Sequence, residues 1–264
     1  MTLRWTMDKI GPLARSVEDC AFVLNALYGP DGRDETVVDL PFVWDRNVQL
    51  AGLTIGFVQD EFASATGEGT EDERRRWPGQ KRVLAAALDA LRGSGARLKP
   101  VTMPDFPSRA MYAILNAEAG AAFDDMIRAG KLNDLAGKGP NDRANQLRIS
   151  RLIPAVEYIR AQRARALLGR RMEDVMTECD VFLAPATSAS VTTTNLTGHP
   201  AVTVNAGFAD RLPVGLMVSG RLYEEATMLG VAAAYERARG VIDDRPHLTG
   251  ATTSGGGAGA RRRP

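Results

Sequence analysis

The sequence holds 264 residues, with 33 Lys and Arg against 32 Asp and Glu, for a formal net charge of +1. A hydrophobic share of 44% and a charged share of 25% are the balance of a globular chain with a buried core, and the near-neutral charge excludes a basic surface built for nucleic acid or membrane. No apolar run reaches the ~18 residues of a membrane helix, the opening MTLRWTMDK lacks a signal-like apolar core, and Cys20 and Cys179 stand far apart, so a reducing, cytoplasmic location is expected.

Residues 1–15 read as extended, with Gly11 and Pro12 breaking any helix. Ser16, followed three residues later by Asp19, predicts a capped helix start. Val17, Cys20, Val23, Leu24 and Leu27 predict its apolar face before Gly29 and Pro30 stop it. Residues 31–47 read as a polar connection, 53–58 as a strand and 61–80 as a charged surface loop. Pro78 is expected early in a helix running through KRVLAAALDALRGSG, and 97–101 forms the next strand. Strand, helix and strand in this order predict a crossover between parallel strands.

Residues 108–129 and 149–178 read as helices, the second interrupted at Pro154, with a loop over 130–145 between them. Arg160, Arg163, Arg165, Arg170 and Arg171 read as a solvated face of the second helix. DVFLAP, residues 180–185, reads as a buried strand, and 189–194 as a Ser/Thr-rich loop. Two apolar runs, 201–206 and 214–219, are bounded by Gly and Pro and read as strands in the middle of a sheet. Ala226, Leu229, Ala233 and Tyr235 then fall near helical spacing. The chain from 1 to 240 is expected to form an α/β domain, and the tail over 241–264 is expected to be disordered in its last part, its three arginines a solvated end.

The residues that carry chemistry are few. His199 and His247 have no Cys or carboxylate at metal-ligand spacing, so no metal site is predicted. Cys20 and Cys179 read as core thiols. No serine sits in a Gly-x-Ser-x-Gly elbow, Gly93-Ser94-Gly95 being a helix-ending turn, and no phosphate-binding glycine pattern follows a strand. Glu118, Asp124 and Asp125 read as an ordinary polar helix face. The residues alone predict no catalytic constellation and no cofactor.

Three blocks add a resemblance. TMDKIGPLARSVEDCAFVLNALYGPDGRDETVV, IPAVEYIRAQRARALLGRRMEDVMTECDVFLAPAT, and NLTGHPAVTVNAGF with LPVGLMVSGRLYEEATMLGVAAAYE stand in that order. Together the chain resembles the C-terminal half of the amidase-signature hydrolases. The resemblance implies the C-terminal part of an α/β fold, a mixed β-sheet flanked by helices on both faces. It also implies amide hydrolysis by a Ser nucleophile, a bridging Ser in a cis peptide and a Lys, with no metal or organic cofactor. In that family the Lys and both serines precede the block that opens this chain, and Lys9, Lys81, Lys99, Lys131 and Lys138 all lie outside that context. No residue here is therefore assigned a catalytic role.

The resemblance places Asn195, Thr197 and His199 near substrate. Asn195 reads equally as a turn or helix cap, and Thr197 and His199 as satisfying backbone groups at the Gly198–Pro200 turn. Asp8, Gly11 and Pro12 match a D-x-x-G-P pattern whose expected role is structural. A sheet that loses ~1,000 Å² of apolar cover loses ~25 kcal/mol at most, more than the ~5–15 kcal/mol by which domains are stable. A partner chain or self-association through the exposed sheet is thus expected, with a small amide as substrate once an N-terminal half completes the fold, and neither nucleic acid nor membrane as partner. The alternatives are a relative of the glutamine-hydrolysing component of tRNA-dependent amidotransferases and a non-catalytic interaction module. Against the first, residues 188–194 offer no acid before Asn195, and Met217 stands where a Gln is common.

Overall fold

The computed structural model describes residues 5–63, 71–137 and 139–240, so the expected tail from 241 lies outside the described residues. The first helix, α1 (Val17–Leu27), starts as read: the Ser16 hydroxyl accepts from the Asp19 N–H at 3.0 Å. Its buried side is narrower than its sequence pattern. Val17 and Ala21 are buried and Leu24 packs beside them, while Phe22, Val23 and Leu27 face outward.

Strand β1 (Thr54–Val58) runs into the short helix α2 (Gln59–Ala63), and α3 (Glu71–Gly93) leads to β2 (Arg97–Val101). Much of the stretch expected as loop over 61–80 is therefore helical, and Pro78 lies inside α3 rather than at its start. α4 (Tyr112–Ala122) and α5 (Asp124–Arg128) divide at Phe123 the single helix expected there, and a 3-10 turn (Lys131–Asp134) precedes α6 (Arg143–Ser150). Pro154 then caps α7 (Ala155–Met176), because its ring removes the N–H that a continuous helix would need. β3 (Val181–Pro185), α8 (Ala189–Thr197), β4 (Ala201–Ala209), β5 (Leu212–Gly220) and α9 (Glu225–Arg239) complete the order. The Ser/Thr-rich segment expected as a loop is α8. Ser190, Thr193, Thr194 and Leu196 are buried along it, and that packing overrides the weak helix propensity of its β-branched residues.

The five strands form one mixed sheet in the order β2-β1-β3-β5-β4. β1 pairs in parallel with both β2 and β3, the crossover the sequence suggested, while β5 runs antiparallel to β3 and to β4. The β4–β5 hairpin turns through Asp210 and Arg211, both at positive φ, the geometry that matches strand twist. β5 is internal as expected, but β4 is an edge strand, which corrects the expectation that both runs lie mid-sheet.

Helices cover both faces. Ile55, Val181, Leu183, Leu216 and Val218 point to one side, where α1, α3 and α9 supply Val17, Leu84, Leu91, Leu229 and Ala232. Phe182, Ala184 and Met217 point to the other, against Ile114, Leu168, Met172 and Leu196 of α4, α7 and α8. A carboxylate joins two helices of the first layer: Glu236 on α9 accepts from the Val17 N–H at the start of α1, at 3.2 and 3.3 Å. Among the described residues no helix is long and apolar enough to cross a membrane.

Candidate functional site

Helix α8 ends where Gly198 takes up a left-handed φ of 85°, and the chain turns through His199 and Pro200 into β4. The Thr197 hydroxyl donates to the Thr193 carbonyl at 2.9 Å, which uses its only proton. Its contact of 2.8 Å with His199 Nδ1 must then be accepted, so the ring carries its proton on Nδ1. His199 Nε2 is left as a buried lone pair with no hydrogen-bond partner among the described residues, 4.0 Å from a Glu173 carboxylate oxygen. The His199 side chain is 1% exposed, and burial, helped by the Lys9 charge, lowers its pKa to about 4. It is a neutral imidazole at any ordinary pH.

The extended N-terminal segment crosses this helix end. Lys9 is exposed along its stem, but its ammonium donates to the Thr194 and His199 carbonyls at 3.1 and 3.0 Å, a cation set on a helix C-terminus. Burial of the ammonium and then the nearby Arg165 lower its pKa to about 8. Three residues earlier, Thr6 is held from both sides. Its N–H and hydroxyl donate to the two Glu118 oxygens at 3.0 and 2.6 Å, while Arg165 donates to the Thr6 hydroxyl and carbonyl at 2.6 and 2.8 Å. Arg165 Nε reaches the Leu196 carbonyl on α8, and Tyr158 donates to Glu118 at 3.0 Å. A negative and a positive group thus meet across one threonine, pinning residues 6–9 to α4, α7 and α8.

A second polar cluster sits at the carboxyl ends of the parallel strands β1 and β3, the edge where α/β sheets collect ligands. One oxygen of Glu61, on α2, accepts from the Ser190 N–H in the first turn of α8 at 2.9 Å. The other Glu61 oxygen and the Ser188 and Ser190 hydroxyls are buried without a hydrogen-bond partner among the described residues. A surface hollow lies elsewhere, a shallow groove of about 440 Å³ along β2 lined by Thr54, Arg97, Lys99 and Glu178. It is at the opposite sheet edge from His199, and its Lys99–Glu178 ion pair is exposed.

Of the three residues singled out in the sequence, the structure joins Thr197 to His199 directly, while Asn195 is half-buried within the last turn of α8, neither in a turn nor at a cap. Glu118 and Arg165 are the residues that sequence reasoning misplaced. Glu118 is 7% exposed rather than on a polar face, and Arg165 turns inward from an otherwise solvated row. The available signal was local: each stands among alanines and other small or apolar residues, Glu118 in ILNAEAGAA and Arg165 in ARALL. Cys179 is a core thiol as expected, pushed up to about 11 by burial, whereas Cys20 is only half-buried. No group of three or more metal-capable side chains exists among the described residues.

The family model described as Amidase matches residues 2–193. The chain belongs to the amidase family. The A component of glutamyl-tRNA(Gln) amidotransferase from Chloroflexus aggregans is 31% identical to this amidase-family chain, over 92% of the chain and 57% of that protein. Its counterpart in Shouchella clausii is 30% identical, with the same coverage. Among solved structures, the peptide amidase of Stenotrophomonas maltophilia superposes with a TM-score of 0.73 at 23% identity, over 93% of this chain and 56% of that one. The A component of the Thermotoga maritima amidotransferase gives 0.68 at 20% identity, over 89% and 54%. These neighbours share the α/β fold with a mixed sheet that the sequence implied. The chain spans little more than half the length of the relatives it matches.

Proposed function

We propose that this amidase-family chain forms the substrate-facing wall of an amide hydrolase, inactive alone and working on a small-molecule amide in the cytoplasm once the catalytic half completes it. The observation that carries the reading is the one-sided match: 92% of this chain against 57% of a full-length relative. The Ser nucleophile, bridging Ser and Lys belong in this reading to the remaining part. Lys9 does not replace that Lys, because its ammonium is committed to two carbonyl oxygens. Asn195, Thr197 and His199 are proposed to face substrate, His199 as a neutral ring whose Nε2 accepts an N–H rather than moving a proton. The domain is proposed to run from 1 to 240 with a tail beyond it.

Hydrolysis of simple primary amides is the test. The purified chain should show none, and activity should rise on co-expression with an N-terminal amidase half. Turnover by the chain alone, co-purifying with it through successive columns, would sink the proposal. A second reading, a relative of the tRNA-dependent amidotransferases, is supported by the names of the curated relatives at 30–31% identity. Selective hydrolysis of glutamine over simple amides by the completed protein would favour it.

A further inference from the structure

We propose that the outer face of α7 is a docking surface for an acidic amphipathic helix of a partner protein. The proposal is independent of the hydrolase reading. α7 carries two stripes that advance by the same steps along the helix. Ala161, Ala164, Leu168, Met172 and Val175 follow one another by three, four, four and three residues, and all pack into the layer against the sheet. Val156, Ile159, Arg163, Leu167 and Arg170 follow by the same steps on the other side. Leu152 extends this outer stripe from the turn before the helix. Its aliphatic members are open to solvent: Leu152, Val156, Ile159 and Leu167 are 78, 59, 57 and 50% exposed. The inner stripe already fixes α7 to the fold, so the outer one is not needed to hold the helix in place. From Val156 to Arg170 it runs ~21 Å along the helix, an aligned patch rather than scattered surface side chains.

The charges on this face select the occupant. Arg160 pairs with Glu157 at 3.2 Å and Arg171 lies 3.8 Å from Asp174, so these carboxylates are already matched within the helix. Arg163 and Arg170, in the stripe itself, have no carboxylate in ion-pair range among the described residues. The face therefore sets unmatched guanidinium charges between aliphatic side chains. A second copy of the chain would bring the same excess, and like charges brought together across an interface disfavour self-pairing. A bilayer fits poorly as well. The stripe has no aromatic side chain, and Glu157, Glu173 and Asp174 stand exposed along the same helix, where anionic lipid would repel them. A narrow stripe advancing by three and four residues is the complement of another helix, whose apolar groups fill the spaces between its own. Asp or Glu beside those apolar groups would meet the forks of Arg163 and Arg170 with paired hydrogen bonds.

The test is binding of labelled three-heptad helical peptides to the full chain, read by fluorescence anisotropy. One peptide carries Leu at its core positions and Glu beside them; a second has Lys in place of each Glu. The acidic peptide should bind at least ~10-fold tighter than the basic one, and the preference should shrink as salt rises. That preference is read on the unaltered chain and needs no variant. Ile159→Asp with Leu167→Asp should weaken binding of the acidic peptide at least ~10-fold, whereas Val23→Asp with Leu27→Asp, on the exposed side of α1, should not. Arg163→Glu with Arg170→Glu should reverse the preference in favour of the basic peptide, and unchanged melting of each variant separates lost docking from lost fold. Equal binding of the two peptides, or binding indifferent to the α7 substitutions, overturns the proposal. So does tighter binding to phosphatidylglycerol vesicles through the same residues, or a dimer of this chain that Ile159→Asp with Leu167→Asp breaks.

Discussion

Strands β3 and β4 begin alike, as short apolar runs between turn residues, and end in different environments. All five residues of β3 are buried, with Val181 and Leu183 in one layer and Phe182 and Ala184 in the other. β4 buries Val204 and Ala206 on one side and leaves Ala201, Thr203 and Asn205 open on the other. An apolar strand records the cover it meets in its finished fold, which need not come from the same segment of chain. The exposed side of β4 carries small or polar residues, so it tolerates water where β3 would not.

Substitutions in the two strands should therefore part widely. Phe182→Ala empties a fully buried site and should cost ~3–5 kcal/mol in denaturant unfolding. A loss below ~1 kcal/mol would mean that the second layer is loosely packed.

The seam beside β4 has its own pH signature. His199 has a pKa of about 4 in the fold against 6.5 when free, so below pH 6.5 the unfolded chain binds a proton that the folded chain refuses. Stability should fall as pH drops from about 6.5 to about 4, by up to ~3 kcal/mol, and this contribution should level off below that. His199→Gln should remove the dependence in that window. An unchanged pH profile in the variant would show the ring to be solvated.

Glu118→Ala strands the Thr6 N–H, its hydroxyl and Tyr158, and is expected to cost ~2–3 kcal/mol. Limited proteolysis should then cut ahead of α1, whereas Glu118→Gln should keep part of the anchorage. Ser16→Ala should cost ~1 kcal/mol through the lost cap of α1. Thr203→Lys on the bare face should change stability by less than ~0.5 kcal/mol.

Much of the fold was legible because its signals are local. The Ser16 cap, the parallel crossover from β1 to β2 and the apolar run of β5 each rest on neighbours within a few residues or on chain direction. What escaped depends on distant partners. α8 is helical because Leu196 is buried in one layer with α7 and the sheet and Thr193 is buried beside it on the helix, not because ASVTTTNLT favours helix. β4 reads like β5, and only pairing decides which of them is the edge. For the candidate site, the Thr197–His199 pair could be suspected from its spacing. Its junction with Lys9, and the bridge from Glu118 through Thr6 to Arg165, span separations of 112 to 190 residues that no local pattern encodes.

Residue-resolved hydrogen exchange on the chain alone tests the half-covered sheet most directly. β3 amides should exchange only with global unfolding, while alternate amides of β4, those facing away from β5, should exchange at least ~100-fold faster. Equal protection along β3 and β4 would contradict it, since it would mean that the open edge is already covered within this chain.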